Sequence, residues 1–407
     1  MLVTNPAHTL VVNMNKKELL DTRSHTQEPE ITFIVPVFNT AHYLVETLNS
    51  IAAENLAGIE LIIVNDGSTD DSLAVIEQWT ANRKLPVLLL NQPNAGLSAA
   101  RMAGLAHAQG RFVGFCDSDD RIEISTYCEL AKIATANACD VALCRSIVLN
   151  NATNSVFDFY DSGLWQHILA GKSYLITNVI REPRLLRLEP NANTRLLRRS
   201  FISEANISFP NGLHFEDLPP HIIALSKASK VCLLDATGYF YRVNRVGKIT
   251  DQKSAKRFDI LECAGQTFEF TENALLTTEA RAISLALTCR MIYWCGTNTL
   301  NADRQRFFIQ ATTLIQNRIP SLVIEEFINK WTDERESILV AALATNSVDI
   351  LSAFSNHKQM PVIELIRLLA NRRYGNVSRR VASRVLIQRI LGFMANFLGS
   401  DIRFCLS

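Results

Sequence analysis

Two hydrophobic rhythms alternate along the first third of the chain. Ile31-Thr-Phe-Ile-Val-Pro-Val-Phe38, Glu60-Leu-Ile-Ile-Val-Asn-Asp66, Val87–Leu90 and Arg111–Cys116 are short, nearly continuous apolar runs. Such runs are expected of strands buried on both faces. Between them apolar residues recur at helical spacing: Leu44, Leu48 and Ile51 in a segment from Ala41 to Asn55, then Leu73, Ile76 and Trp79, then the stretch Ala99–Ala108. Strands alternating with helices in this way predict βαβ units and a parallel sheet covered on both sides. Pro36 lies near the end of the first run, where a missing N–H is better tolerated than in mid-ladder, and Asn39 and Thr40 offer an N-cap for the helix that follows.

The pattern continues with a helix over Glu123–Ala136 and a strand over Asp140–Val148. A polar, aromatic-bearing excursion follows from Asn150 to Asp161, then a helix from Trp165 to Tyr174. Val231–Thr250 reads as a strand, a turn and a second, aromatic strand. Beyond Thr250 the rhythm is helical throughout, over Ala274–Cys295 (Leu275, Leu276, Ile283, Leu287, Ile292), Asp303–Asn317, Val323–Trp331, Glu334–Ala344 and Pro361–Asn371. Arg290 and Trp294 are expected there as core or interface residues. The last segment, Arg372–Leu398, is basic and then apolar nearly all round a helix, which suits docking on another helix or on an anionic membrane surface. The expected division is a polar tail over 1–30, an α/β domain over 31–250 and an all-helical domain over 251–407.

Composition changes this picture little. The 407 residues carry 41 basic and 40 acidic side chains, a formal charge of +1, which argues against nucleic acid as a global partner. Nine cysteines form no CxxC pair, which suits reduced thiols better than a disulfide framework. Cys139 and Cys144 read as core thiols. The first thirty residues lack the apolar core of a signal peptide, and no apolar run reaches the length of a membrane span. A cytoplasmic protein is expected, with contact to the inner face of the membrane left to its last helix.

Chemistry concentrates at the strand ends. Arg111-Phe-Val-Gly-Phe-Cys-Asp-Ser-Asp-Asp120 runs a short strand straight into Asp117, Asp119 and Asp120. In open α/β sheets ligands bind outside the carboxyl ends of the strands. Clustered carboxylates repel one another unless a cation offsets them, so a divalent ion with a diphosphate is one reading. Capping of the helix that follows is the other, since aspartate is a favoured N-cap. Asp66 and the stretch Asn94–Arg101 end two further strands, although Gly67 and Gly96 would also serve simply as turn glycines. There is neither GxGxxG after the first strand nor GxxxxGK[ST], which disfavours dinucleotide and P-loop sites.

In order and at these spacings, Val35-Pro-Val-Phe-Asn39, Val64-Asn-Asp-Gly-Ser-Thr-Asp70, Asn94-Ala-Gly-Leu-Ser-Ala-Ala-Arg101 and Asp117-Ser-Asp-Asp120 resemble the nucleotide-sugar-binding half of family 2 glycosyltransferases, inverting enzymes of the GT-A fold. The resemblance implies a GT-A-like, Rossmann-like domain with a mixed, mainly parallel sheet, followed by the helical region. It places Pro36, Phe38, Asn39, Asp66, Asn94 and Arg101 around the donor, with Asp66 accepting from a uracil N–H. It puts Asp117 at the ribose and Asp119 at a manganese or magnesium ion. Phe215-Glu-Asp-Leu218 matches the family's Glu-Asp pair, which makes Asp217 the general base and Glu216 its partner, although both acids would also suit the start of the helix Pro219–Ala228.

Tyr239-Phe-Tyr-Arg242 is similar to the family segment that closes over the pyrophosphate, which brings in Arg242, Arg245 and Lys248. Three departures stand out: Met102 where Asn is frequent, Arg195 where Lys is common, and Lys248 in place of Ser. The partners implied are a nucleotide-sugar donor, chiefly a UDP-sugar, and a saccharide or lipid-linked acceptor in cell-surface polysaccharide assembly. Two rivals stay open. A nucleotidyltransferase would need a glycine-rich loop with a basic residue after the first strand, which Pro36-Val-Phe-Asn39 does not offer, and an inactive binding protein would not need Asp119 and Asp217.

Overall fold

The computed structural model describes residues 17–23, 28–52, 58–81, 85–244, 253–330, 334–348 and 351. Eleven strands form one mixed sheet: β1 (Lys17–Asp21), β2 (Ile31–Val37), β3 (Ile59–Asp66), β4 (Val87–Gln92), β5 (Phe112–Phe115), β6 (Arg121–Ile122), β7 (Val141–Asn150), β8 (Val156–Asp158), β9 (Tyr174–Thr177), β10 (Arg195–Arg198) and β11 (Val231–Val243). The main path runs β1-β4-β3-β2-β5-β10-β7-β11-β6. Strands β4, β3, β2 and β5 are mutually parallel, while β10 runs antiparallel between β5 and β7. The order reverses between β2 and β5, the topological switch point at which an α/β sheet opens a ligand crevice.

Pro36 shows how the backbone fits this plan. The β2–β5 ladder stops at Ile34, whose carbonyl accepts from the N–H of Cys116. Two residues further along β2, Pro36 faces the same side, where β5 has already ended. A ring nitrogen without hydrogen therefore leaves no ladder bond unmade.

Helices α1 (Ala41–Ile51), α2 (Ser72–Ala81) and α4 (Ile124–Asn137) cover one face of the sheet, and α3 (Leu97–Leu105) covers the other. Alternation along β2 divides the core accordingly. Phe33, Val35 and Val37 join Leu44, Leu48, Ile76 and Trp79, whereas Ile34 joins Ala100 and Ala103. The second face also receives α5 (Ser162–Leu169), α6 (Arg199–Glu204) and α7 (Leu218–Lys227). It continues without a break into α8 (Asp259–Asn273), α9 (Thr278–Thr297), α10 (Arg304–Arg318), α11 (Ser321–Lys330) and α12 (Glu334–Ala344). Leu218, Ile222, Ile260, Phe268, Ile283 and Phe307 belong to one apolar cluster, so the helical region is welded to the catalytic half through α7.

Several expectations are corrected. The stretch read as a polar tail contributes β1, which pairs antiparallel with β4. Tyr174 opens β9 instead of closing a helix; the helix ends at Leu169, with Ala170 in a left-handed cap. Val231–Val243 is one strand without a turn, its register interrupted between Leu234 and Tyr239. A helix already forms over Asp259–Asn273, and the next one begins only at Thr278, so Leu275 lies in the connection, fully exposed. Cys139 and Cys144 are buried, as expected, and the eight described cysteines are all free. No helix among the described residues is long and apolar enough to cross a membrane. Arg245, Lys248, the helix expected over Pro361–Asn371 and the basic-apolar segment Arg372–Leu398 lie outside the described residues.

Candidate active site

The loops after β2, β3, β4 and β5 meet at one end of the sheet. Asn39, at φ 54, holds the β3 loop: its Oδ1 accepts from the backbone N–H of Thr69 at 2.8 Å, and its own N–H donates to Ser68 Oγ at 3.1 Å. Thr40 precedes α1 without a capping bond from its side chain. Asp70 accepts from the Ala41 N–H instead, while Thr40 Oγ1 donates to Ser118 in the acidic turn. Phe38 is 47% exposed at the rim. Asn94 is exposed as well.

Asp66 is placed differently from its implied role at a nucleobase. It is buried, and its carboxylate accepts from Gln92 Nε2 at 2.7 Å, from the Ala95 N–H at 2.9 Å and from the Gly96 N–H at 2.8 Å. Its main task is to tie the β4 loop to the end of β3, with lone-pair capacity left on Oδ2 for one further donor. The same two loops touch at Gly67, where φ is 69° and a Cβ would lie 2.6 Å from the Asn94 nitrogen. Gly67→Ala should therefore cost about 2 kcal/mol, combining left-handed strain with a backbone clash. Urea unfolding checks this, and a loss under about 0.5 kcal/mol would mean that the loops part freely.

Arg101 is the largest departure from expectation. Instead of sitting beside Asp66, its guanidinium lies buried under three carboxylates. Nη2 donates to Asp117 Oδ1 at 3.0 Å, and Nη1 donates to Glu216 Oε1 at 2.9 Å and Asp217 Oδ1 at 2.8 Å. Phe209 packs on the cation, 5.1 Å from its ring centre. The position of Met102 leaves this network intact. One residue of α3 thus joins the acidic turn after β5 to the Glu-Asp pair before α7.

Neither acidic cluster caps a helix. Asp217 precedes α7 without a capping bond, and Glu123 caps α4 in place of the three aspartates. Burial pushes the carboxyls of Glu216 and Asp217 up. For Glu216 the neighbouring Asp217 adds to the shift against the pull of Arg101; for Asp217 the Arg101 cation opposes it most and Asp117 adds to it. Among the described residues Asp217 Oδ2 accepts only from the Ala192 N–H, at 3.4 Å, which leaves that oxygen able to take a proton.

Asp117 and Asp120 have fixed protein partners. Asp117 Oδ2 accepts from Asn193 Nδ2 at 3.0 Å; the same amide donates to the Tyr239 hydroxyl, which donates to Asp120. Asp120 also accepts from the Arg242 N–H at 2.6 Å, and burial, then Asp119 and Asp117, push its carboxyl well up. The Arg242 side chain, implied at the pyrophosphate, braces the acidic turn. It donates to the Asp119 carbonyl at 2.8 Å, Asn151 Oδ1 at 2.9 Å and Glu46 Oε2 at 2.8 Å. Among the described residues no three His, Cys, Asp or Glu side chains form a metal cage. The acidic turn still suits a hard cation held by one or two carboxylates with the rest of its shell from phosphates and water, the role the resemblance implies for Asp119.

Asn193, Tyr239 and Glu189 carried no assigned role in the sequence. Asn193 stands at the head of the segment Asn193-Thr-Arg-Leu, and its conspicuous neighbour was Arg195. Arg195 is itself buried, donating to the Glu189 carbonyl at 3.0 Å and facing His221 Nδ1 at 3.1 Å. Burial lowers Arg195 to about 10 and holds His221 neutral. Phe215, at φ 65, precedes the Glu-Asp pair in a conformation unusual for a bulky residue. Trp294 of α9 meets its ring edge-on at 6.1 Å, and Arg257 lies 5.7 Å from its centre.

Residues 32–186 match the family model described as glycosyl transferase family 2. The chain is 29% identical over 226 residues to the uncharacterized glycosyltransferase EpsJ of Bacillus subtilis (strain 168), spanning 53% of this chain and 62% of that one. It is 27% identical over 222 residues to TarS of Staphylococcus aureus (strain Mu50), a poly(ribitol-phosphate) β-N-acetylglucosaminyltransferase, spanning 54% of this chain and 36% of that one. The match thus reaches less than two thirds of either relative. The crystal structure of S. aureus TarS 1–349 in complex with UDP-GlcNAc superposes with a TM-score of 0.64 at 21% identity, over 79% of this chain and 88% of that one. With a mixed sheet opened at the β2/β5 switch point and acidic clusters at its mouth, residues 32–186 match glycosyl transferase family 2, and the chain is built on a GT-A fold.

Proposed function

We propose that the protein transfers a sugar from a nucleotide diphosphate, chiefly a UDP-sugar, to a hydroxyl of a saccharide or lipid-linked acceptor with inversion. The setting proposed is cell-surface polysaccharide assembly at the cytoplasmic face of the membrane. The observation that carries this reading is the guanidinium of Arg101, which brings the donor-side Asp117 and the Glu216–Asp217 pair around a single cleft. The family match over residues 32–186 and the TarS complex with UDP-GlcNAc support the donor class.

The acceptor oxygen attacks the anomeric carbon from the side of Asp217 as the bond to the diphosphate breaks. The electron pair leaves with the nucleoside diphosphate. The hydroxyl proton passes to Asp217 Oδ2, the oxygen that Arg101 does not occupy. Arg101 keeps the base ionised against its burial, and Glu216 shares that cation. Asn193, Tyr239 and the Arg242 N–H fix the acidic turn, so Asp117 and Asp119 face the donor without rearrangement. A manganese or magnesium ion held by Asp119 would supply charge neutralisation for the leaving diphosphate.

Thermal shift with UDP- and GDP-sugars tests the donor, since a ligand of the folded state alone raises its melting point. The expected result is a rise with a UDP-sugar and slow release of UDP in manganese; no rise with any sugar nucleotide, or release of pyrophosphate, would overturn the proposal. Asp119→Ala should abolish the manganese-supported reaction and leave the melting point of the free protein within a few degrees. Undiminished activity of that variant in chelator would remove the metal from the scheme.

A further inference from the structure

The helical region beyond the family domain packs beside the Glu216–Asp217 pair, through Trp294 against Phe215. On α9, Arg290 and Trp294 stand one turn apart on the same face. Both were expected in a core or an interface. Instead Trp294 is 42% exposed, with Arg257 4.3 Å from its ring centre and Phe215, the residue before Glu216, at its edge. Arg290 lies 4.5 Å from the Tyr160 ring centre and donates to its hydroxyl at 3.0 Å, and Tyr160 is itself 55% exposed. Tyr160 belongs to the aromatic-bearing excursion after β7. Glu189 adjoins the group: its N–H donates to Oδ2 of Asp161, the residue after Tyr160, at 3.1 Å, and its carboxyl feels the charges of Arg290 and Asp217.

We propose that Trp294, Arg290, Tyr160 and Glu189 form the acceptor subsite, and that it takes a neutral, polyhydroxylated sugar ring. This rests on the reading of Asp217 as the base. Exposed aromatic rings at the mouth of a cleft present flat apolar surface to the C–H face of a pyranose. A guanidinium and a carboxylate beside them supply donors and acceptors for its hydroxyls. Charge does not call for an anionic acceptor, because the Arg290 cation is offset by Asp161 and Glu189. Burial raises Glu189 to about 7, so near neutrality it can donate to as well as accept from a hydroxyl.

The probes are the methyl β-glycosides of glucose, galactose and N-acetylglucosamine, observed by saturation-transfer NMR with and without UDP. At least one should bind the wild type. Trp294→Ala and Arg290→Gln should each weaken it about tenfold, Trp294→Phe should retain most of the binding, and UDP affinity should stay within about twofold in all three. Equal glycoside affinity in wild type and both variants would overturn the subsite, as would absence of binding by all three glycosides. A change in oligomeric state alone would mark the face as an interface and overturn it too. Failure of UDP to bind the wild type would strike the donor reading instead, because the glycoside arm runs without nucleotide.

Discussion

Asp217→Asn should lower the rate constant for transfer at least about 100-fold, the lower end of what a general base contributes. UDP affinity should change less than about twofold. The substitution keeps the shape of the side chain and an oxygen able to accept from Arg101 Nη1, which now lies 2.8 Å from Asp217 Oδ1. It places an amide where Oδ2 stands, and an amide cannot take the acceptor proton. A capping role predicts near-normal turnover, and the absence of any capping bond from Asp217 already disfavours it. Because burial pushes this carboxyl up, the acid limb of kcat/KM in the wild type should lie above the ordinary aspartate value of about 3.9. Steady-state transfer and UDP calorimetry on this variant decide the assignment. Near-wild-type turnover would pass the role to Glu216, whose Oε1 shares the same guanidinium.

How much of this was legible in the sequence follows from the range over which each signal acts. Buried parallel strands and their helices announce themselves by local periodicity, so β2 to β5 and α1 to α4 lie within a few residues of where the pattern puts them. Partners chosen in three dimensions leave no such trace. β1 has a polar sequence, and its strand conformation comes from pairing with β4. Asp66 and Arg242 were identifiable as site residues, but not that their donors and acceptors would be spent on the protein's own loops. Trp294 has the composition of a core residue and lies on a long helix, yet only the packing of α9 over Phe215 reveals that it stands beside the Glu216–Asp217 pair.

Arg101→Met should destabilise the protein by about 3 to 5 kcal/mol at pH 8, the range for removing one partner of a buried ion pair. The side chain is 1% exposed and is the cation that Asp117, Glu216 and Asp217 share. Without it Glu216 and Asp217 retain their burial and the neighbouring negative charge, which drives their folded-state proton affinities further above the unfolded ones. The native state then binds more protons than the unfolded state across that window. Stability must therefore fall as pH rises through it and recover on acidification. Expected in urea melts is a loss clearly smaller at pH 5.5 than at pH 8, with transfer abolished at both. A methionine chain fills much of the space against Phe209 and Phe115, so a packing defect alone would cost the same at the two pH values. Equal losses, or a loss under about 1 kcal/mol, would mean that Arg101 does not hold the two halves of the site together.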